Sequence, residues 1–290
     1  QTTEPVERPL LGHAGRIAAQ RFFPDGKWLA SAGEEGDLAV WDPAGQRVAS
    51  IPAAEAGEIL SLAAAPDGLH VALGLVGGRV RIVDVVRGSV RDEWTEAGSA
   101  AVAFLPDGKT LVSSDLVDGR IAFRTLNDGR LRKSLEFPGV VLRTVAVDPT
   151  GRLLAYADAE QTLVVVAWET GQVVAEYRGH ADRIGALAFY DADAVVSASD
   201  DRTVKVWDVP GRPTAESLAA ADSKTLAAAV DHAGHRLASA GYDTAIRLTA
   251  LPQDARTADV PPDSDVQLLA GHSGAVYAVR FLPDDRRLLS

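Results

Sequence analysis

Apolar residues gather along the chain in runs of four to six, each closed by Gly, Pro or Asp. Ile17–Phe22, Trp28–Ser31, Leu38–Trp41 and Arg47–Ile51 come first, and the same order of runs returns downstream. Short β-type runs bounded by turn residues predict hairpin-linked strands. Within a run the apolar positions do not alternate strictly with polar ones; Ile184-Gly185-Ala186-Leu187-Ala188-Phe189 is apolar throughout. Such a strand needs cover on both faces. No segment combines helical periodicity with capping residues, so the expected fold class is all-β.

The runs repeat with a fixed period. A turn tripeptide recurs at Pro24-Asp25-Gly26, Pro66-Asp67-Gly68, Pro106-Asp107-Gly108, Pro149-Thr150-Gly151, Asp191-Ala192-Asp193, His232-Ala233-Gly234 and Pro283-Asp284-Asp285, in steps of 42, 40, 43, 42, 41 and 51. A glycine turn at Gly45, Gly88, Gly129, Gly171 and Gly211 keeps the same register. Four short strands in a unit of this length match one blade of a β-propeller. A length of 290 residues, which otherwise suggests two domains, is better read as seven units in one domain spanning residues 1–290. The unit bounds are approximately 12–51, 54–94, 95–135, 138–178, 179–220, 221–270, and 271–290 joined by 6–11.

The fifth unit, Gly179-His180 through Trp207-Asp208, resembles the WD40 repeat almost position for position, and Gly12-His13 through Trp41-Asp42 nearly as well. The resemblance implies a seven-bladed propeller of four-stranded antiparallel blades. It also implies a structural tetrad of hydrogen-bonded His, Ser, Asp and Trp in each complete unit. By position these are His180, Ser197, Asp201 and Trp207, and in the first unit His13, Ser31, Glu35 and Trp41, with Glu in place of Asp. Other units depart from the motif. Unit three keeps Ser114 and Asp118 but has Thr95 and Arg124 at the His and Trp places; unit six keeps Ser239 and Asp243 but has Ala221 and Thr249. Unit two, with Glu55, Leu73, Gly77 and Val83, has no tetrad, and in unit four Trp168 falls two positions late.

Unit seven starts at Gly271-His272 and reaches Ser290, so its third strand is missing and the blade is expected to be incomplete. Val6–Leu11 parallels Val266–Ala270 and is expected to close the ring as the outer strand of that blade. Its open ladder edge suggests that the chain is part of something longer, or that another segment completes the blade by strand addition.

Composition narrows the function. The formal net charge is −11 and basic residues are not clustered, which argues against a nucleic-acid partner. No apolar stretch reaches membrane-spanning length, so no membrane partner is expected. With no Cys, thiolate metal sites and Cys nucleophiles are excluded. Gln1-Thr2-Thr3-Glu4-Pro5 would suit a mature terminus after signal cleavage, so the compartment stays open between the cytoplasm and, if a signal peptide precedes Gln1, a place outside it.

His180, Ser197 and Asp201 have the residue types of a hydrolytic triad, but their place in a repeat ending at Trp207 favours a structural tetrad, and no catalytic residue is assigned. His232 and His235 lie at a hairpin turn with no third ligand in register, so neither a metal nor a cofactor is expected. Glu34-Glu35 and Asp200-Asp201 recur at one place in the repeat and read as turn chemistry, and Gly74 to Gly78 is followed by no helix that could hold a phosphate. Candidate partner-binding residues are Arg16, Glu34, Glu58, Arg183, Asp200 and Tyr242, on the loops entering the first strand and the turns between second and third strands. The excess length in Leu251–Asp265 is a further candidate loop. The expected function is a non-enzymatic scaffold that presents these loops to a protein or peptide. The competing reading is a propeller module of a larger enzyme or electron-transfer protein whose active domain lies elsewhere.

Overall fold

A computed structural model describes residues 10, 12–51, 57–96, 98–115, 119–138, 140–189, 193–209, 215–220, 223–231, 233–251, 266–282 and 284–290. The strand from Val6 to Leu11, the turn residues Glu55 and Asp118, Ala221, His232 and the inserted loop at 252–265 lie outside them, apart from Leu10.

Among the described residues the chain is all strand and turn, with no helix. Strands pair in sequence order. In the first sheet Ile17–Phe22, Leu29–Gly33, Leu38–Trp41 and Arg47–Ile51 form an antiparallel meander. Five more four-stranded sheets follow, whose inner strands are Ile59–Ala64, Ser99–Phe104, Leu142–Val147, Ile184–Phe189 and Thr225–Val230. A seventh, two-stranded sheet pairs Arg280–Phe281 with Leu288–Leu289. Successive inner strands lie beside one another, so the sheets pack as blades of a β-propeller around a central channel.

Burial follows from this geometry. Second strands are covered on both faces, as in Leu29–Gly33, Thr110–Asp115 and Ala194–Ser199, where every residue is buried. Outer strands such as Arg47–Ile51 and Ser89–Thr95 are largely exposed. Non-alternating sequence in the middle of each unit is therefore the cost of being sandwiched between two neighbours. Ala30, Ala32, Val71 and Leu73 meet between blades one and two, and Ala227, Ala229, Val276 and Val279 between blades six and seven. Leu10 and Leu289 pack against Leu29, Ala39 and Trp41, which brings the seventh sheet against the first.

Two backbone features recur. The ladder between first and second strands is interrupted near the start of the inner strand in six blades, between Ile17 and Ala19, Ile59 and Ser61, Leu142 and Thr144, Ile184 and Ala186, Thr225 and Ala227, and at Ser114 and Asp115 opposite Ser99. Such a bulge turns one extra residue out of the ladder, and Ala18, Leu60, Gly185 and Leu226 line the channel at these points. The turn before the third strand takes a left-handed residue in six blades: Gly36, Gly78, Gly119, Gln161, Arg202 and Thr244. At Gly78 a Cβ would stand 2.1 Å from the Glu96 carbonyl, so only glycine fits there.

Candidate functional site

Ser197 lies in the fully buried second strand of blade five, opposite Lys205, which places it on one face with Trp207 two residues on. Trp207 Nε1 donates to Ser197 Oγ at 2.7 Å, and that hydroxyl is 2.7 Å from His180 Nε2. His180 Nδ1 is 2.8 Å from Asp201 Oδ2, which also accepts from the Ala181 N–H. The chain of bonds fits one neutral tautomer, with Nδ1–H donating to Asp201 and Nε2 accepting from Ser197. Burial lowers the His180 pKa, outweighing the raising effect of Asp201. Burial pushes Asp201 up, but bonds from the Thr203 hydroxyl, the Ala181 N–H and His180 together hold it down at about 2. Although Ser, His and Asp are linked as in a hydrolase, Ser197 is 0% exposed and its oxygen already accepts the indole N–H. No substrate carbonyl can reach it. The arrangement joins the loop before the first strand to the second and third strands.

In blade one Trp41 Nε1 donates to Ser31 Oγ at 2.7 Å, and Ser31 Oγ is 2.7 Å from His13 Nε2. The carboxylate on His13 Nδ1 is that of Asp37, at 2.5 Å, and not that of Glu35, which is exposed. Asp37 occupies the place of Thr203, whose hydroxyl lies 3.2 Å from His180 Nδ1, so a longer acidic side chain there reaches the ring directly. Asp37→Asn should cost about 1–2 kcal/mol, a loss of a few degrees in Tm, whereas Glu35→Gln should leave it within about a degree. Paired thermal melts check this; equal effects would return the role to Glu35.

The incomplete units use other chemistry. In blade three Arg124 pairs with Leu111 across the ladder, so Ser113 and not Ser114 shares its face. Motif spacing points to Ser114, but the turn between the second and third strands is one residue longer here than in blade five, which moves the register to Ser113. Arg124 Nε donates to Glu96 at 2.5 Å, so Glu96 rather than Thr95 provides the partner before the inner strand. In blade two Leu73 and Val83 are buried, and Arg81 pairs with Glu93 at 2.6 Å. In blade six Arg247 pairs with Asp243 at 2.5 Å, while Ser239 and Thr249 are buried. Trp168 of blade four donates to the Gly151 carbonyl at 2.8 Å and stacks on Phe123 at 4.5 Å. His272 Nε2 is 2.6 Å from Ser290 Oγ, the same first link as in the complete tetrads.

The candidate binding residues share one rim. A backbone bond from the turn after the second strand to the residue before the first recurs as Glu34 N–H to Arg16, Val76 to Glu58, Asp200 to Arg183 and Tyr242 to Lys224, at 2.8–3.2 Å. Asp200 of blade five bridges Arg183 at 3.5 Å and Lys224 of blade six at 3.3 Å. Tyr242 of blade six meets Tyr277 of blade seven edge to face, with ring centroids 6.2 Å apart. The Arg16 guanidinium of blade one lies 4.8 Å over the Tyr277 ring and pairs with Glu34. Five of the six residues thus join a band across blades five, six, seven and one. Glu58 is exposed farther along the rim, in blade two. Tyr242 and Tyr277 remain 53% and 43% exposed despite their contacts. Lys224 and Tyr277 are not among the sequence candidates. Lys224 precedes its inner strand as Arg16 and Arg183 precede theirs, so register alone could have found it. Tyr277 lies inside an apolar run and reads as core, and only the backbone path brings it to the mouth of the channel. No group of three metal-ligating side chains occurs among the described residues.

The model of the WD domain, G-beta repeat, matches residues 5–42, 171–208 and 264–290. The periodic tryptophan protein 2 homolog of Caenorhabditis elegans is 30% identical over 204 residues, covering 67% of this chain and 22% of that protein. An uncharacterized WD repeat-containing protein of Schizosaccharomyces pombe is 28% identical over 221 residues, 70% of this chain and 54% of its own length. The guanine nucleotide-binding protein subunit beta of Zea mays is 22% identical over 221 residues, again 70% of this chain and 58% of its own. The chain therefore spans less than two thirds of each of these relatives. The matched segments contain the units built on His13, His180 and His272, and with the bladed fold they make this chain a member of the WD40-repeat family.

Proposed function

We propose that residues 1–290 form one seven-bladed propeller domain, with residues 6–11 completing the outer edge of the seventh blade, and that it serves as a non-enzymatic scaffold for a protein or peptide partner. The contacts of Leu10 and Leu289 with Trp41 support the ring. The His, Ser, Asp and Trp side chains are its internal ties, with Asp37 acting in blade one.

The observation that carries the binding role is the exposed pair Tyr242 and Tyr277, held at a fixed angle and clamped by Arg16 and Glu34. Aromatic side chains on a rigid frame bind with little loss of conformational freedom, and ringed by charge they have the make-up of an interface anchor. Arg183, Asp200 and Lys224 extend the band, and Glu58 lies on the same rim.

Replacing Tyr242 and Tyr277 together by alanine should leave the fold intact and reduce partner capture at least about tenfold, the expectation for loss of an anchor worth 1.4 kcal/mol or more. The check is quantitative affinity enrichment with the parent and doubly substituted chains, both first shown to melt alike. Identical enrichment from both would remove this rim as the binding surface.

A further inference from the structure

One place in the repeat breaks its own rule. The residue one before the end of each inner strand, defined by its partner across the ladder, is Ala63, Ala103, Ala146, Ala188 and Ala229 in blades two to six. In blades one and seven, which are neighbours, it is Arg21 and Arg280. A small residue suits an inner strand crowded by two others. Two large cations at adjacent places need a reason of their own.

Both side chains line the central channel, a cavity of about 370 Å³. Arg21 donates to the Gln20 carbonyl at 2.9 Å, and Arg280 to the carbonyls of Val279 at 2.7 Å and Ala228 at 3.2 Å. Neither has a carboxylate partner among the described residues, although the chain as a whole carries 40 acidic residues against 29 basic ones. Desolvation lowers the pKa of Arg21 to about 10 and that of Arg280 well below its ordinary value, with the positive charge of Arg21 adding to the lowering at Arg280. Two like charges side by side in a partly dehydrated channel oppose folding unless something neutralises them. The same channel is lined by Gln20, Ser61 and Thr144, and the Ser61 hydroxyl is buried without a hydrogen-bond partner.

We propose that the channel binds a small tetrahedral dianion of the phosphate class between Arg21 and Arg280. Guanidinium groups present fixed forks of N–H donors suited to oxyanions, and a dianion matches the two charges. Gln20, Ser61 and Thr144 are available for the remaining oxygens. The channel opens at the rim, where Arg183 and Tyr277 also line it, and the ligand held by Arg21 and Arg280 ties the first blade to the seventh, where the ring closes.

The test titrates inorganic phosphate into the 290-residue chain at constant ionic strength, with acetate as a carboxylate arm and chloride as the control, beside Arg21→Ala and Arg280→Ala. Saturable phosphate binding is expected, with a raised Tm in phosphate, and each variant should bind at least about tenfold more weakly. Because alanine stands at this place in five blades, both variants should fold, and without phosphate they should melt at or above the parent temperature. Absence of saturable binding overturns the proposal, as does equal binding by the variants or acetate binding as tightly as phosphate. Variants that melt lower than the parent in phosphate-free buffer and show no phosphate effect would make the arginines structural donors instead.

Discussion

Phe123→Ala should be among the most damaging single substitutions in this protein, costing about 3–5 kcal/mol. Phe123 is 0% exposed and stacks on Trp168 with an interplanar angle of 20°. The contact joins blade three to blade four, where no tetrad operates: Arg124 holds the Trp place in one and Val166, paired with Leu154, holds it in the other. Adhesion there rests on Phe123, Ile121, Val112, Leu154, Tyr156 and Val166 in one apolar cluster. Removing the ring leaves a void lined by residues fixed in two separate ladders, which collapse poorly. Denaturant unfolding followed by tryptophan fluorescence measures the loss, and Trp168 reports on the interface itself. A loss below about 1 kcal/mol would show that these blades are held chiefly by something other than the stacked pair.

Ser197→Ala should cost about 2–4 kcal/mol, because one oxygen serves two buried partners. Without it the Trp207 indole N–H loses its acceptor and His180 Nε2 loses its donor, at about 1–3 kcal/mol for each stranded group. The effect should depend on pH. The His180 pKa is lowered in the folded protein, so its contribution is complete above the ordinary value of 6.5 and declines as pH falls through the lower folded value. Asp201, held at about 2 against an ordinary 3.8, contributes fully above 3.8 and loses its contribution as pH falls towards 2. Once His180 is protonated, Nε2 can no longer accept from Ser197. The Tm gap between parent and Ser197→Ala should therefore narrow as pH drops below 6.5. A gap that stays constant down to pH 4 would show that the hydroxyl acts through Trp207 alone.

The shared role of these two sites explains why only two units need keep a full motif. In blade five the tetrad links the entering loop to strands two and three by four polar side chains. In blades two, three and six the ion pairs of Arg81 with Glu93, Arg124 with Glu96 and Arg247 with Asp243 stand near the same face, with Arg81, Glu96 and Arg247 as their buried members. An arginine fork and a carboxylate can bridge strands much as the tetrad does, provided both charges are satisfied.

Much of the fold was legible from periodicity. A spacing near 42 residues, turn residues at each end of short apolar runs, and uninterrupted burial of middle strands all follow from local rules. Side-chain direction alternates along a strand, and a blade between two neighbours must be apolar on both faces. The Gly-His and Trp-Asp markers point to His13, Ser31, Trp41, His180, Ser197, Asp201 and Trp207, and hydrogen bonds join these side chains within blades one and five. Counting by motif failed where a turn differed by one residue or a neighbouring side chain was longer. Asp37 displaced Glu35 at His13, Ser113 displaced Ser114, and Glu96 displaced Thr95, because hydrogen bonds select distance and direction rather than position in a repeat.

Contacts between blades were beyond the reach of any reading one unit at a time. Arg16 meets Tyr277 across 261 positions of sequence because the first and seventh blades stand side by side. For the same reason Arg21 and Arg280, unremarkable in their own runs, become neighbouring cations in one channel. The order of strands within a blade is local, set by hairpins that the sequence spells out. Which loops and charges share a surface is settled only when the ring brings distant units together, and that placement determines where a partner or an ion can bind.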